Sequence, residues 1–460
     1  NTETVRRIMR KPVVALVGRP NVGKSTLFNR LAGEPLAIVD DTPGTTRDRL
    51  LSEGEWSGIP FFIVDTGGID PSEGGRTPLS VGSAEFIEEI RSQAEIAIQE
   101  ADVVLFVVDA ISGVTPADRE VAQILRRSQQ IRDGSPYPPV LLVVNKADSA
   151  GLRSSAPEFF ELGMGEPHPI SAVHGTGTGD LLDVLVESFP KGEPEEDDSI
   201  KIAIVGKPNV GKSSLLNRLV GADRAIVSDI PGTTRDAIDT RMDYDGLPLT
   251  LIDTAGIRRR GRIERGVEKY SVIRSLRAIE RADVALLVVD ATGGLTAQDA
   301  HIAGFILDAW KSAVVVVNKW DAVEKDTHTL QQYTERIRQE LKFLSYVPIL
   351  FISAKTGQRV DQVLPMALRV QEERLARVPT GALNRILQTA QDVHIPSSKS
   401  GRALKVYYGT QVGANPPTFL VHVNDPKLAH FTYIRFLENR IREEFPFTGT
   451  PIRVILKARR

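Results

Sequence analysis

One eight-residue, glycine-containing pattern occurs twice in this chain of 460 residues. The second copy begins 188 residues after the first. Each copy follows a short apolar run and opens a segment with the apolar spacing of a helix, which is the strand, loop and helix order of a phosphate-binding loop. The two copies, each with the residue that follows it, read Gly18-Arg19-Pro20-Asn21-Val22-Gly23-Lys24-Ser25-Thr26 and Gly206-Lys207-Pro208-Asn209-Val210-Gly211-Lys212-Ser213-Ser214.

The spacing of this pattern has a physical reason. Its glycines allow main-chain N–H groups to converge on phosphate oxygens at the N-terminus of a helix. We expect Lys24 and Lys212 to contact the outer phosphates, and Ser25 and Ser213 to bind Mg²⁺. A single chance match in a chain of this length has a probability of roughly 1 to 2 per cent, so two matches in register indicate two sites.

The repeat also predicts the domain organisation. Residues 15–69 and 203–257 align without a gap and share 30 identities in 55 positions, which indicates duplication. A chain of this length is expected to hold about three domains. The acidic stretch between the copies contains glycine and proline but no apolar residue, and is typical of an exposed linker. We predict a first domain at 1–190, a linker at 191–199, a second domain at 200–374 and a third domain at 375–460.

The apolar pattern predicts the fold class. Continuous apolar runs, such as 103–108 and 284–289, alternate with helix-like segments in both copies. Strands that are buried on both faces of a parallel sheet need such runs, so we predict two doubly wound α/β domains with mainly parallel sheets. The third domain is predicted to be α+β, with a helix at 382–393, strands at 403–408 and 418–423, a helix at 427–444 and a strand at 452–457.

Composition excludes several classes of protein. The chain is 41% hydrophobic and 25% charged, and no apolar run approaches the ~20 residues that span a bilayer, so we expect no membrane role. It has no cysteine, which excludes disulfides, thiolate-bound zinc and a cysteine nucleophile, and we predict a cytoplasmic location. Residues 376–460 hold 13 Lys and Arg against 5 Asp and Glu. This excess favours an anionic partner such as nucleic acid, with a merely solvated face as the alternative.

A second motif follows the third apolar run of each copy. It starts at Asp65 and Asp253, each 47 residues after the first glycine of its loop. The carboxylate can hold Mg²⁺ through water, and the N–H of Gly68 or Gly256 can contact a terminal phosphate. With the isoleucine that follows, the two copies read Asp65-Thr66-Gly67-Gly68-Ile69 and Asp253-Thr254-Ala255-Gly256-Ile257.

A polar, turn-forming segment precedes this motif, at 43–48 and again at 231–236. A threonine in it can complete the Mg²⁺ shell only when a γ-phosphate is present, which would couple the order of the segment to the nucleotide state. We favour Thr46 and Thr234, and the sequence leaves Thr45 and Thr233 open. The predicted catalytic residues are therefore Lys24, Thr46 and Gly68 in the first copy and Lys212, Thr234 and Gly256 in the second.

A third motif closes the fifth strand of each α/β domain, where ligands bind to doubly wound sheets. A carboxylate in it, Asp148 or Asp321, can accept the ring N–H and the exocyclic amine of guanine, a donor pair that adenine lacks. A Ser-Ala pair further along would place a main-chain N–H behind the base. The residues concerned are Asn145, Lys146, Ala147, Asp148, Ser171 and Ala172, and then Asn318, Lys319, Trp320, Asp321, Ser353 and Ala354.

With these motifs the chain resembles the translation-factor-like branch of the P-loop GTPases. Two tandem GTPase domains followed by an α-β-β-α-β domain are similar to the Der family, also called EngA, over nearly the whole chain. The resemblance implies binding of GTP and GDP with Mg²⁺, GTP hydrolysis, and a KH-like, RNA-binding third domain. It also implies maturation of the large (50S) ribosomal subunit, with rRNA and ribosomal proteins as partners. We expect a monomer.

One departure from the Ras-like pattern concerns the attacking water. Ile69 and Ile257 stand where Ras-like proteins place a glutamine that positions this water. The resemblance implies K⁺-stimulated hydrolysis, in which Asn21 and Asn209 help to hold a potassium ion against the phosphates. A turn-stabilising role for the two asparagines is the alternative. The arginine-rich stretch 258–265 is open to RNA contact, contact with a neighbouring domain, or simple solvation.

In the third domain we expect most aromatic residues to lie in the core and base stacking to be the less favoured role. The domain has no G-x-x-G, the loop with which ordinary KH domains clamp a nucleic-acid backbone. This departure disfavours standard single-strand recognition and leaves shape and charge recognition of structured RNA, or protein docking. The aromatic residues in question are Tyr407, Tyr408, Phe419, Phe431, Tyr433 and Phe436.

Three function classes follow from the sequence. A ribosome-assembly GTPase is favoured. A small-molecule phosphotransferase is disfavoured by the paired guanine motifs and by the absence of a substrate lid. A nucleotide-gated scaffold that binds RNA or protein with little hydrolysis is the alternative, although intact Lys24, Ser25 and Asp65 disfavour it.

Overall fold

The computed structural model describes residues 11–32, 51–65, 101–132, 134–190, 199–222, 225–227, 239–254, 270–393 and 403–459. The chain divides into two compact units, Asn1–Glu196 and Asp197–Arg460. The division falls within the stretch predicted as a linker, of which residues 191–198 lie outside the described part. The exact domain limits stay a prediction.

The first unit is built on a six-stranded sheet in which every neighbouring pair is parallel except β2 with β3. Its strands, in spatial order, are β2 (Leu51–Trp56), β3 (Ile59–Asp65), β1 (Val13–Val17), β4 (Val103–Asp109), β7 (Val140–Asn145) and β8 (Pro167–Pro169). A separate hairpin pairs β5 (Gln130–Arg132) with β6 (Ser135–Tyr137). The helices are α1 (Lys24–Leu31), α2 (Pro116–Ser128), α3 (Ala150–Ser154) and α4 (Thr178–Glu187), with a 3₁₀ helix at Ala156–Leu162.

Both faces of this sheet are covered, which is why its strands are continuously apolar. Along β1, Val14 and Leu16 pack in one core cluster, together with residues of α1 and α4. Ala15 and Val17 point the other way, into a cluster that includes residues of α2. The predicted doubly wound α/β architecture is confirmed.

The second α/β domain has seven strands in the order β10-β11-β12-β9-β13-β14-β15. The pairs of β11 with β10 and β12 are antiparallel and the rest are parallel. The strands are β9 (Ile200–Val205), β10 (Ala225–Val227), β11 (Thr240–Tyr244), β12 (Leu247–Ile252), β13 (Val284–Asp290), β14 (Ser312–Asn318) and β15 (Ile349–Phe351). The helices are α5 (Lys212–Val220), α6 (Tyr270–Arg281), α7 (Ala297–Asp308), α8 (Thr329–Glu340) and α9 (Val363–Leu375), with 3₁₀ helices at Trp320–Ala322, Lys342–Leu344 and Val360–Gln362.

The third domain has the predicted α-β-β-α-β order. It comprises α10 (Thr380–Val393), β16 (Val406–Ala414), β17 (Pro417–Val423), a 3₁₀ turn (Pro426–Leu428), α11 (Phe431–Glu444) and β18 (Arg453–Ala458). The first strand was expected to end at Tyr408, but it continues to Ala414. Gly409 does not break it, because its missing side chain leaves room for Leu387 of α10 to pack against the strand.

The third domain packs against the base of β14 in the second α/β domain. Arg374 of α9, which is 3% exposed, donates to the Trp310 carbonyl at 2.8 Å and to Ser312 Oγ at 3.2 Å. The same guanidinium donates to Asn415 Oδ1 in the third domain. The Ala313 N–H donates to the Gly449 carbonyl at 2.7 Å. Burial lowers the pKa of Arg374 to about 10, since the nearby Asp283 and Tyr346 only partly offset it.

In the described part of the chain, no helix combines the length and the apolar character needed to cross a membrane.

Candidate nucleotide sites

In each α/β domain the predicted motifs meet at one edge of the sheet. Parallel strands present their carboxyl ends on the same side, so residues that close neighbouring strands are brought together. Asp65 closes β3, Asp109 closes β4 and Asn145 closes β7. Asp109 lies in register with Asn145, and in the second domain Asp290 lies in register with Asn318.

The phosphate loop leads from β1 to α1 at this edge, and two of its glycines have no room for a side chain. A Cβ on Gly18 would overlap the Val107 carbonyl oxygen, and one on Gly23 would overlap the carboxamide of Asn145. Gly23 also has a φ of 92° at the helix N-cap. The same overlaps occur at Gly206 and Gly211 in the second domain.

The loop lysine folds back over the loop that precedes it. Lys24 Nζ donates to the carbonyls of Gly18 at 2.7 Å and Arg19 at 2.8 Å. Lys212 Nζ makes the same two bonds, to Gly206 at 2.6 Å and to Lys207 at 2.5 Å. The ammonium group is therefore held over the mouth of the loop in both copies.

The predicted Mg²⁺ ligands of the first domain lie next to each other. Ser25 Oγ donates to Asp65 Oδ2 at 2.8 Å, and Asp65 is 1% exposed. A hydroxyl and a carboxylate are the hard oxygen donors that Mg²⁺ takes, usually with waters and substrate phosphates completing the shell. In the second domain Asp253 has a φ of 56°, and its N–H donates to Asp239 Oδ1 at 2.9 Å.

One asparagine joins the phosphate loop to the Ser-Ala loop in each domain. Asn145 Nδ2 donates to the Val22 carbonyl at 2.9 Å, and Asn145 Oδ1 accepts the N–H of Ala172 at 3.0 Å. The N–H of Ala172, one of the two main-chain N–H groups of the Ser-Ala pair that was predicted to lie behind the base, thus donates to Asn145. Its role toward a base stays a prediction.

The second domain repeats this bridge. Asn318 Nδ2 donates to the Val210 carbonyl at 2.8 Å, and the N–H of Ala354 donates to Asn318 Oδ1 at 2.9 Å. Both asparagines are 2% exposed. Both ends of a buried amide are therefore paired, which fixes the distance between the two loops.

The motif lysines pair with an aspartate that closes the neighbouring strand. Lys146 Nζ lies 2.8 Å from Asp109 Oδ2 and also donates to the Asn21 carbonyl at 2.7 Å. Burial acts to raise the pKa of Asp109, but hydrogen bonds from Lys146 and from the Ile111 N–H outweigh it and lower the pKa. Lys319 and Asp290 form the matching pair at 2.6 Å, and there too the hydrogen bonds outweigh burial.

The two candidate guanine-reading carboxylates, Asp148 and Asp321, are both exposed at the sheet edge. A hydrogen bond from Ser353 is the main cause that lowers the pKa of Asp321, and Lys355 and Lys325 act in the same direction. The serine of the Ser-Ala pair therefore favours the ionised form of this carboxylate in the second domain.

The loop asparagines proposed as K⁺ ligands are in a left-handed turn. Asn21 and Asn209 both have a φ of 64°, a conformation in which asparagine is enriched. This conformation agrees with the turn-stabilising alternative. Both side chains are exposed, and their role toward K⁺ stays a prediction.

Sequence reasoning missed two kinds of supporting residue. Arg30 in α1 donates to the Ala172 carbonyl at 3.0 Å and to Val173, and Arg218 in α5 makes the matching bonds to Ala354 and Lys355. Both arginines occupy the same position in the gap-free alignment of the two copies. That identity is the sequence signal that could have identified them.

The second kind is a buried acid that holds the phosphate loop. Arg19 lies 3.3 Å from Asp118, and Lys207 lies 3.3 Å from Asp299. Each aspartate is fully buried and also caps a helix, because Thr115 and Asp118 form the capping box of α2. Thr296 and Asp299 do the same for α7.

Several predicted residues lie outside the described part of the chain. They are Thr46, Thr66, Gly67, Gly68 and Ile69 of the first copy, Thr234, Ala255, Gly256 and Ile257 of the second, the alternatives Thr45 and Thr233, and the arginine-rich stretch 258–265.

A phosphate loop at the carboxyl edge of a doubly wound sheet, joined by an asparagine to a base-side loop, is the arrangement of the P-loop GTPase class. The chain carries it twice. The family described as "50S ribosome-binding GTPase" matches residues 13–146 and 201–319. The family described as "KH-domain-like of EngA bacterial GTPase enzymes, C-terminal" matches residues 377–457.

Curated relatives match over the whole length. GTPase Der of Listeria monocytogenes is 52% identical over 98% of this chain and 100% of that protein, and GTPase Der of Geobacillus kaustophilus is 51% identical over the same shares. A solved structure of Era with MgGDPNP and 16S ribosomal RNA is 24% identical over 57% of this chain and 93% of that one, with a TM-score of 0.29. The chain belongs to the GTPase Der family.

Proposed function

We propose that both sites bind GTP and GDP with Mg²⁺ and hydrolyse GTP to GDP and phosphate, and that the two switches act in maturation of the large ribosomal subunit. The observation that carries the proposal is the asparagine bridge. Because Asn145 and Asn318 each join a phosphate loop to a base-side loop, a nucleotide that contacts both loops is bound by one preorganised unit.

Guanine selectivity follows from the carboxylates at the sheet edge. Asp148 and Asp321 would accept the ring N–H and the exocyclic amine of guanine. Adenine would leave the carboxylate without this donor pair, which disfavours its binding.

At the phosphate end, Lys24 and Lys212 already point their ammonium groups over the loop, where phosphate oxygens would replace the loop carbonyls as acceptors. Ser25 and Asp65 would hold Mg²⁺ in the first site, and Ser213 and Asp253 in the second. When bound, Mg²⁺ neutralises charge that develops on the phosphates. Thr46 and Thr234 complete our proposal as the switch threonines, with Gly68 and Gly256 as donors to the γ-phosphate.

Hydrolysis at both sites is tested by single-turnover GTP cleavage in Lys24→Ala, Lys212→Ala and the double variant. Each single variant should retain one active site, and the double variant should lose cleavage. Arg127→Ala, an exposed change at the end of α2, is the control. Cleavage that survives in the double variant would contradict the assignment, and the scaffold alternative requires little cleavage in the unaltered chain.

We further propose that K⁺ stimulates both sites, with Asn21 and Asn209 as ligands. Isoleucine at positions 69 and 257 cannot position a water by hydrogen bonding. The family resemblance implies a potassium ion that neutralises charge on the phosphates in the transition state. Turnover should be faster in K⁺ than in Na⁺ at equal ionic strength, and Asn21→Ala should abolish the difference at the first site. Equal turnover in the two salts rules the potassium role out.

The ribosomal role is supported by the family's own description and by the basic third domain. It would place the protein in the cytoplasm, with large-subunit rRNA and ribosomal proteins as partners. Cosedimentation with 50S particles should depend on whether GTP, GDP or no nucleotide is bound. Binding that is unchanged in Lys24→Ala and Lys212→Ala would contradict the double-switch proposal.

A further inference from the structure

The three-stranded sheet of the third domain has one face that its helices do not cover. Phe419, Val421 and Val423 alternate along β17 and are fully buried in the core cluster formed with α10 and α11. The residues between them, among them Leu420 and His422, point to the opposite face and are only partly buried. This opposite side is called the open face below.

Two aromatic rings lie stacked on the open face. Tyr408 of β16 is paired in register with His422 of β17, and their ring centroids are 4.4 Å apart with an interplanar angle of 15°. Tyr408 is 44% exposed, whereas Tyr433 of the same domain is 3% exposed. Lys457 of β18 is in register with His422 on its other side and is exposed.

An irregularity in β16 brings a second tyrosine to the same area. The register between β16 and β17 shifts between Val406 and Tyr408, so that Tyr407 is an extra residue in the strand. Bulges of this kind redirect side chains. The Tyr407 ring has the Arg459 guanidinium 4.9 Å from its centroid and Lys405 Nζ at 5.7 Å.

The charge on these strands is of one sign. Strands β16, β17 and β18 contain no aspartate or glutamate. Arg453 and Lys457 lie in β18, and Lys405 and Arg459 flank the sheet; all four are exposed. Aromatic rings beside exposed, positively charged side chains match the two parts of a single-stranded nucleic acid, its bases and its phosphates.

We propose that the open face binds single-stranded RNA, with a base stacked on the Tyr408–His422 pair and adjacent phosphates held by Lys457 and Arg459. This surface replaces the backbone-clamping loop that the domain lacks, and it differs from recognition of duplex RNA, which depends on shape and buries its bases. The proposal rests on the ribosomal role proposed above, for which it names the RNA-binding surface.

The test uses the full-length chain and a fluorescein-labelled, 12-nucleotide single-stranded RNA of mixed sequence. Tyr408→Ala should weaken binding about 5- to 160-fold, the range for loss of one base-stacking side chain, and Tyr408→Phe should bind as the unaltered chain does. Val412→Ala, which removes another exposed apolar side chain from the same strand, is the matched control and should have no effect. A melting temperature within about 2 °C for all variants checks that each folds.

Charge is tested separately. Lys457→Gln should lower the slope of log affinity against log salt concentration by about 0.7, the contribution of one phosphate contact to a single strand. Equal affinity of Tyr408→Ala and the unaltered chain, or equal losses in Tyr408→Ala and Val412→Ala, overturns the proposal, as does preference for a duplex of the same sequence.

The same variants are then cosedimented with 50S particles. If particle binding is nucleotide-dependent but indifferent to Tyr408→Ala, the ribosomal role stands and the open face is not the surface that binds ribosomal RNA, which overturns the proposal. If the chain binds the RNA through Tyr408 but never binds particles, the ribosomal role fails and the surface assignment stands.

Discussion

The two GTPase domains retain the same internal bonds around the nucleotide site but differ in how the site is supported. In both, an asparagine joins the phosphate loop to the base-side loop, and a lysine pairs with the aspartate that closes the neighbouring strand. The third position of the Asn-Lys-x-Asp motif differs, with Ala147 in the first domain and Trp320 in the second. Contacts that touch the nucleotide loops have been kept, whereas packing behind them has changed.

Trp320 is part of an aromatic cluster that its first-domain counterpart cannot form. Its ring lies 4.6 Å from Phe351 and 5.2 Å from Tyr333, centroid to centroid, and it is 4% exposed. Ala147 is fully buried in a cluster that is mostly aliphatic and also contains Phe106 and Phe159. The second domain also holds the third domain through Arg374, so its site and its partner domain share one scaffold.

The largest effect is expected from Trp320→Ala. The change places in the second domain the alanine that the first domain has at position 147, but without the side chains that pack around Ala147. The cavity should destabilise the second domain by about 3–5 kcal/mol and leave the first unchanged. Hydrogen exchange followed by mass spectrometry measures the protection of each domain separately. Leu330→Ala, an exposed change in α8, should stay within about 0.5 kcal/mol. Equal loss of protection in both domains would show that they do not pack independently.

Next in size is Arg374→Met, which keeps volume but removes the donors at the base of β14. The Trp310 carbonyl and Asn415 lose a charged partner, so we expect a loss of about 3 kcal/mol and separate unfolding of the third domain. Calorimetry should show an additional transition. Arg377→Met, at an exposed position three residues further on, is the control. A single unshifted transition would mean that the interface does not depend on this arginine.

A smaller effect, and one confined to each site, is expected from Asn145→Ala and Asn318→Ala. Loss of the bridge should cost about 2 kcal/mol of nucleotide binding, or about 30-fold in affinity, at the altered site alone. Titration with fluorescent GDP measures the affinity of one site at a time. Asn145→Ala is measured together with Lys212→Ala, and Asn318→Ala together with Lys24→Ala, so that the other site is inactive. Asn384 makes a similar amide bridge to Gly409 in the third domain, so Asn384→Ala should leave both affinities unchanged.

The smallest effect is expected in the pH dependence of stability, and only in the second unit. Burial raises the pKa of Glu438 in α11 to about 7, although Arg442 and Arg435 oppose the shift. The folded state therefore binds the proton more tightly, and this stabilisation is present below about pH 4.5 and is lost as pH rises through about 7. Glu438→Gln should raise the stability at pH 8 by up to about 2 kcal/mol and leave it unchanged at pH 4. The midpoints of urea unfolding at the two pH values measure this change in stability. An equal shift of the midpoint in the first domain would contradict the assignment of the effect to Glu438.

Local patterns predicted the elements that carry the motifs. Helices α1 and α5 begin at Lys24 and Lys212, directly after a glycine with positive φ, as the phosphate-loop pattern requires. The β5–β6 hairpin was not predicted, because its residues show neither strong alternation nor a continuous apolar run. Arg30 and Arg218 were missed because their acceptors are carbonyls, which carry no sequence signature, and lie far along the chain.

For the third domain the order of elements was correct and the placement of aromatic residues only partly so. Phe419 and Tyr433 lie in the core as expected, but Tyr408 and Phe431 are exposed. The exposure of Tyr408 depends on a bulge in β16 and on which face of the sheet the helices cover. Phe431 is exposed at the first residue of α11. Neither arrangement can be deduced from residue type.

By itself the sequence determined two phosphate loops, their strand and helix context and the positions of the carboxylates that we propose to read guanine, because glycine spacing and apolar periodicity act over a few residues. Only the tertiary structure decided that Asn145 and Asn318 join the loops, that Arg374 holds the third domain to the second, and that Tyr408 stacks on His422 in the open. These contacts join residues far apart in the chain, and they arise only when strands pair in register and helices cover one face of a sheet.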